Sequence, residues 1–282
     1  MSAQLLHTFV NGSETTALSP LDRGLAFGDG VFETLVLCEG KLQNIAWHLD
    51  RLTAGLDRLQ IALTRLELES QLNHCIAELS SQQIREGLVK IIVTRGEGRG
   101  YAPAANACAS VIQLIFAPPD DSLNKQRDGV SMTICRQRLS YQPTLIGIKH
   151  LNRLDNVLAA LEMRNNDFDE GLLLDDQGHV VEAISRNIFA VKEGILVTPN
   201  LQRGGVAGVV RRIICEQLAP ALPITVHEAT VTIDWLAGAD EIFLCNSVSG
   251  IWPVSRFEDK QLAIGSITQR LQIALKKKMK TY

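Results

Sequence analysis

Short apolar runs of strand length alternate with leucine stripes of helical spacing, and this pattern constrains the fold more than any other feature of the chain. Leu5 to Val10, Val31 to Leu37, Leu88 to Thr94 and Val111 to Phe116 are such runs, each carrying β-branched or aromatic residues. Between them, Leu49, Leu52, Leu56 and Leu59 recur at i, i+3, i+7 and i+10, one face of a helix, and Leu72, Ile76 and Leu79 form a second, weaker stripe. Strands that need cover and helices with one apolar face predict an α+β lobe. No stretch of eighteen uninterrupted apolar residues occurs, which excludes a membrane-spanning helix. The opening MSAQLLHTFVNGSETT lacks a basic start, a long apolar segment and a small-residue cleavage site, so a cytoplasmic setting is expected.

Ala117 to Gly129, APPDDSLNKQRDG, joins a proline pair to charge and low hydrophobicity, the composition of an interdomain linker. The expected organisation is an N-terminal domain at 1–117, a linker at 118–129 and a larger C-terminal domain at 130–282 that carries Lys149. The second lobe reads as a strand at Val130 to Arg138, then a helix with Leu151, Leu154, Leu158 and Leu161 in one stripe. Strands follow at Gly171 to Leu174, His179 to Glu182, Ile188 to Val191 and Ile195 to Thr198. A helix begins at Gly208, and strands at Ile224 to His227 and Glu241 to Cys245 precede a C-terminal helix from about Ile267.

Lys and Arg number 28 against 31 Asp and Glu, giving a net charge of −3 with the signs mixed, which speaks against nucleic acid as a partner. The basic run at Lys276 to Lys280 reads as the last turn of a helix. Six cysteines (Cys38, Cys75, Cys108, Cys135, Cys215, Cys245) sit far apart without a CxxC pair or histidines at ligand spacing. Buried, reduced thiols are expected, with neither disulfide nor metal.

Several stretches could carry chemistry. In GIKHLNRLDN, Lys149 is flanked by Ile148 and the leucine stripe, and a partly desolvated lysine has the lowered pKa that imine formation requires; the alternative is a solvated lysine. His48 and Arg51 lie three apart on one helical face, where Arg51 could clamp a phosphate or pair with Asp50 or Asp57. RGGVAGVVRR leads small residues into a helix and makes the N–H groups of Val209 and Val210 an anion site or a plain glycine-rich loop. Glu182 closes a strand among apolar neighbours, either answering a cation such as a protonated ring nitrogen or standing at an edge in water. GEGRGYAP is a flexible turn bearing Arg99 and Tyr101, with Arg95 just before it, and is either suited to an anionic substrate or an ordinary hairpin tip. A lysine for an aldehyde, an acid for a ring nitrogen, and an arginine with a helix start for a phosphate together match pyridoxal 5′-phosphate.

The same elements, in the same order along nearly the whole chain, resemble the fold-type IV pyridoxal-phosphate enzymes: branched-chain aminotransferases, D-amino-acid transaminases and aminodeoxychorismate lyases. DRGLAFGDGVFETL at Asp22 to Leu35 resembles the family's N-terminal signature, while TRGEGRGYAP at Thr94 to Pro103 and GIKHLNRLDNVLA at Gly147 to Ala159 resemble the lyases. By this resemblance Lys149 matches the Schiff-base lysine, Glu182 the acid paired with the pyridine nitrogen, and Arg51 the phosphate arginine. Val209 and Val210 match the phosphate-binding amides, and Asn246 and Ser247 offer further phosphate contacts. The resemblance implies two α+β lobes with the cofactor at their interface, a homodimer, and conversion of 4-amino-4-deoxychorismate to 4-aminobenzoate and pyruvate in folate synthesis. In that reaction the substrate amine displaces Lys149 to form an external aldimine. A transaminase of the same fold is the alternative, and a non-catalytic protein binding a small anion or a partner is a remote one.

Overall fold

The computed structural model describes residues 4–118 and 122–280 and divides the chain into two compact units. Among the described residues the first comprises 4–118 with 148–152, the second 122–147 with 153–280. The stretch 148–152, read from the sequence as part of the C-terminal domain, thus belongs with the first unit. The reason is backbone pairing, since Lys149 O accepts from Phe32 N at 2.9 Å and Leu151 N donates to Gly30 O at 2.9 Å.

In the first unit the elements run β1 (Leu5–Val10), β2 (Ser13–Glu14), α1 (Arg23–Phe27), β3 (Gly30–Cys38), β4 (Lys41–Leu42), α2 (Ile45–Leu59), α3 (Arg65–Ser81), β5 (Gly87–Thr94) and β6 (Ser110–Phe116). The strands form an antiparallel sheet in the order β2-β1-β6-β5-β3-β4. Alternation decides its faces: Val31, Glu33, Leu35 and Leu37 of β3 are buried, while Phe32, Thr34 and Val36 are half-buried. The buried face packs on Leu49, Leu52 and Leu56 of α2 and on Leu68, Leu72, Cys75 and Leu79 of α3. A capping box at Thr64 and Glu67 starts α3. Helix α2 lies close to β3, and a Cβ at Gly55 would come within 3.0 Å of Val31 Cγ1.

The second unit comprises α4 (Ser122–Asp128), β7 (Val130–Arg138), α5 (Leu154–Glu162), β8 (Glu170–Leu174), β9 (Val180–Ala183), β10 (Asn187–Lys192), β11 (Ile195–Pro199), α6 (Val209–Ile213), α7 (Ala219–Ala221), β12 (Val226–Ala229), α8 (Ile233–Ala237), β13 (Glu241–Asn246), β14 (Gly250–Phe257), β15 (Lys260–Gln261) and α9 (Ser266–Lys280). Its sheet runs β12-β11-β10-β13-β14-β7-β8-β9, with β15 on β14. Within the expected linker, residues 119–121 lie outside the described residues, and 122–128 form α4, whose Gln126 Nε2 holds Ser249 O at 2.8 Å. Strand β14, absent from the expected elements, includes Pro253, which has no N–H to give a ladder and stands opposite Phe243 of β13. Two further expectations are corrected. The leucine stripe of α5 faces outward, with Leu154 68% exposed and Leu158 and Leu161 also exposed, because the helix packs on the sheet through Ala159. All six cysteines are free, but Cys108 is exposed and only Cys75, Cys135 and Cys245 are fully buried.

Candidate active site

Lys149 follows Gly147, whose φ of +80° suits glycine and whose N–H and carbonyl bond Gly205 O and Ala207 N at 3.1 and 2.9 Å. Beyond that turn the chain joins β3, Ile148 is buried, and the half-buried Lys149 places Nζ 4.5 Å from the centroid of the Phe32 ring. Lys90 of β5 lies over the same ring at 5.1 Å. Burial pushes the Lys90 ammonium below the ordinary lysine range, and no carboxylate pairs with it among the described residues.

Arg51 reaches across to β3, where its Nε and Nη2 donate to the two oxygens of Glu33 at 2.6 and 2.5 Å. His48 Nδ1 meets the same carboxylate at 2.7 Å. Burial works to raise the Glu33 carboxyl, but the charge of Arg51 and the hydrogen bonds from His48 and Arg51 outweigh it and bring the pKa to about 2. Glu33 was missed in the sequence although its signal was there, a lone acid on the inward side of the alternating run Val31 to Leu37.

In the second unit Glu182 is 4% exposed, which removes the reading of a strand end in water. Its Oε2 accepts from Val206 N at 2.9 Å, and Asn187 Nδ2 lies 3.5 Å from the same oxygen while donating to Val206 O at 2.9 Å. Asn187 also explains a glycine: a Cβ at Gly208 would come within 1.9 Å of Asn187 Oδ1. Gly208 is the N-cap of α6 and brings no side chain to the first N–H groups, so those of Val209 and Val210 are uncapped by any side chain. The helix runs on through a π turn at Ile214–Leu218 into α7, where Pro220 forbids a regular i to i−4 bond.

Asn246 ends β13, and Ser247 follows it in the turn to β14. Asn246 is committed to the turn itself: Oδ1 accepts from Val248 N and Ser249 N at 3.1 and 2.7 Å, and Nδ2 donates to Ser185 O at 3.2 Å. The half-buried Ser247 hydroxyl makes no hydrogen bond to the described residues. Arg99 is exposed and Tyr101 is 89% exposed. Beneath their loop lies a group in which Arg95, a candidate from the sequence, is joined by Arg23 and Asp29, which the sequence reading missed. Asp29 takes Arg23 Nε at 2.8 Å and Arg95 through Nε and Nη2 at 2.8 and 3.0 Å, while Arg23 holds the carbonyls of Gly100 and Tyr101 at 2.6 and 2.9 Å. Burial raises the Asp29 carboxyl, and the two arginines more than reverse that, leaving it below the usual range.

The first unit therefore carries a lysine on an aromatic ring and a locked arginine, and the second a buried acid, uncapped amides and a serine turn. A 4-amino-4-deoxychorismate lyase structure from Pseudomonas aeruginosa is 41% identical, covers 96% of this chain and 98% of its own, and superposes with a TM-score of 0.90. An aminodeoxychorismate lyase of Vibrio harveyi is 36% identical over 271 residues, 94% of this chain and 97% of that protein. A putative branched-chain-amino-acid aminotransferase of Methanocaldococcus jannaschii is 32% identical over 260 residues, 90% of this chain and 88% of that one. The profile of the amino-transferase class IV family matches residues 30–257, and the chain belongs to that family.

Proposed function

We propose that this protein is an aminodeoxychorismate lyase, converting 4-amino-4-deoxychorismate to 4-aminobenzoate and pyruvate with pyridoxal 5′-phosphate. The observation that carries the reaction class is the likeness to two such lyases over almost the whole chain, above the likeness to the aminotransferase.

The donor set fits the cofactor. Lys149 offers an amine beside an aromatic ring, Glu182 a buried carboxylate steadied by a main-chain N–H, and Val209 and Val210 uncapped amides; Ser247 adds a hydroxyl. Glu33 occupies two of the five donors of the Arg51 guanidinium, fixing the plane of the fork for a phosphate. When bound, pyridoxal 5′-phosphate supplies an aldehyde for amines and a ring that accepts the electron pair of a broken C–H bond.

Lys149 as free base takes the proton from the substrate carbon that bears nitrogen, the C–O bond to the enolpyruvyl group breaks as the carbocycle becomes aromatic, and Lys149 returns a proton to the methylene carbon to give pyruvate. Glu182, whose Oε2 accepts from Val206 N, would hold the ring nitrogen of the cofactor and keep a proton on it. Lys90, a half-buried cation with no carboxylate partner among the described residues, is the counter-charge for a substrate carboxylate, a role for which Arg99 and Tyr101 are the exposed alternatives. The outward apolar face of α5, Leu154, Val157, Leu158 and Leu161, supports a homodimer as the working form. Six free cysteines suit a reducing, cytoplasmic setting; no helix among the described residues is long and apolar enough to cross a membrane.

A product assay tests the proposal. 4-Aminobenzoate and pyruvate in equal amounts from aminodeoxychorismate are expected. A keto acid from an amino acid and 2-oxoglutarate, without lyase products, assigns the chain to the transaminases instead.

A further inference from the structure

The second unit buries one charged cluster that the proposed mechanism does not use. Arg186, on the turn between β9 and β10, has a side chain 10% exposed, and its Nη1 donates to Glu170 Oε2 at 2.5 Å and to Ser185 Oγ at 2.9 Å. Nη2 donates to Ser249 Oγ at 3.1 Å, and the guanidinium lies 3.5 Å from the centroid of the Trp252 ring on β14. Every one of these partners except Glu170 sits on or beside the two turns that Asn246 joins through Ser185 O.

A buried ion pair is a poor means of stabilising a fold, because the cost of removing both charges from water roughly cancels their attraction. Burial indeed pushes the Glu170 carboxyl above the ordinary range against the pull of Arg186. What such a pair does provide is geometry: a planar fork, stacked on one face, with its donors aimed at fixed acceptors. Here those acceptors are the hydroxyls at the ends of the Ser185 and Ser249 turns, and Ser247 lies within the second of them.

We infer that Arg186 is a positioning residue for the cofactor phosphate, acting through Ser249 and Ser185 to hold the 246–249 turn that presents Ser247. The inference rests on the proposed cofactor. Arg186 serves that turn and leaves the aldehyde and ring contacts to other residues.

The test compares pyridoxal 5′-phosphate with pyridoxal, which lacks the phosphate, on the full chain freed of cofactor. Binding is followed by absorbance, and thermal unfolding is followed in parallel. Arg186→Lys keeps the charge opposite Glu170 but loses the fork. The double variant Glu170→Gln, Arg186→Met removes both charges at similar volume and leaves no unpaired ion in the core. In both, affinity for pyridoxal 5′-phosphate should fall roughly ten- to hundredfold, the worth of a hydrogen bond to a charged group, with affinity for pyridoxal unchanged. Equal loss for the two ligands, or loss that merely tracks the unfolding temperature, makes Arg186 a structural pair and overturns the inference. Unchanged affinity for both overturns it alone, whereas a wild-type chain that binds neither ligand overturns the proposed cofactor together with it.

Discussion

Arg51 closes a fork on the buried Glu33, Nε to one carboxylate oxygen at 2.6 Å and Nη2 to the other at 2.5 Å, with His48 Nδ1 joining the second oxygen at 2.7 Å. The candidate phosphate arginine is thereby held by an acid on β3.

The first prediction concerns pH. The Glu33 pKa of about 2 in the folded protein lies below its ordinary 4.5, so the stabilisation is fully present above pH 4.5 and is lost as pH falls towards 2. The size is about 3 kcal/mol at most, from 1.36 kcal/mol per unit. Urea unfolding of Glu33→Gln at pH 7 should show lower stability than wild type, with a flatter pH dependence between 4.5 and 2. Parallel wild-type and variant curves through that window would show that Glu33 is not the titrating group.

Arg51→Ala should weaken pyridoxal 5′-phosphate binding by about 2–5 kcal/mol, the cost of deleting one member of a desolvated charge pair. It should also destabilise the fold, since Glu33 is left buried without its main cation. Turnover should largely recover at saturating cofactor. Destabilisation with unchanged cofactor affinity would restrict Arg51 to the Glu33 pair.

Lys90→Met separates substrate binding from folding. Burial has lowered the Lys90 pKa below its unfolded value, so the cation costs stability at neutral pH, a cost relieved as pH rises towards the ordinary lysine range. The variant should be as stable as wild type or more so, while KM for aminodeoxychorismate rises about tenfold or more, the range of a lost hydrogen bond to a charged group. An unchanged KM would assign the substrate carboxylate elsewhere, Arg99 being the next candidate.

Lys149 and Glu182 are tested together. Borohydride treatment of the yellow protein, followed by peptide mapping, should place the cofactor on Lys149; label on Lys90 or Lys192 would contradict the assignment. Glu182→Gln should retain the coloured cofactor yet release 4-aminobenzoate and pyruvate at a small fraction of the wild-type rate, because a neutral amide cannot keep the ring nitrogen protonated. A rate within twofold of wild type would remove Glu182 from the mechanism.

Local pattern determined a good deal of this protein. The alternating runs and apolar spacing place β1, β3, β5, β6 and the start of the C-terminal helix within a residue or two, and the leucine stripe falls inside α2, because period two and period three or four each commit a segment to one buried face. Resemblance in three short motifs pointed to the class IV family before any fold was in view. Tertiary structure alone decided which face of α5 is covered, since a leucine stripe shows that a surface is apolar and not what lies against it. It alone drew residues 148–152 to β3, turned Pro253 into part of a sheet, and gave Arg51 a partner eighteen residues away on β3. Charge pairing of this kind depends on strand register and burial. Neither is written in the spacing of the charged residues themselves.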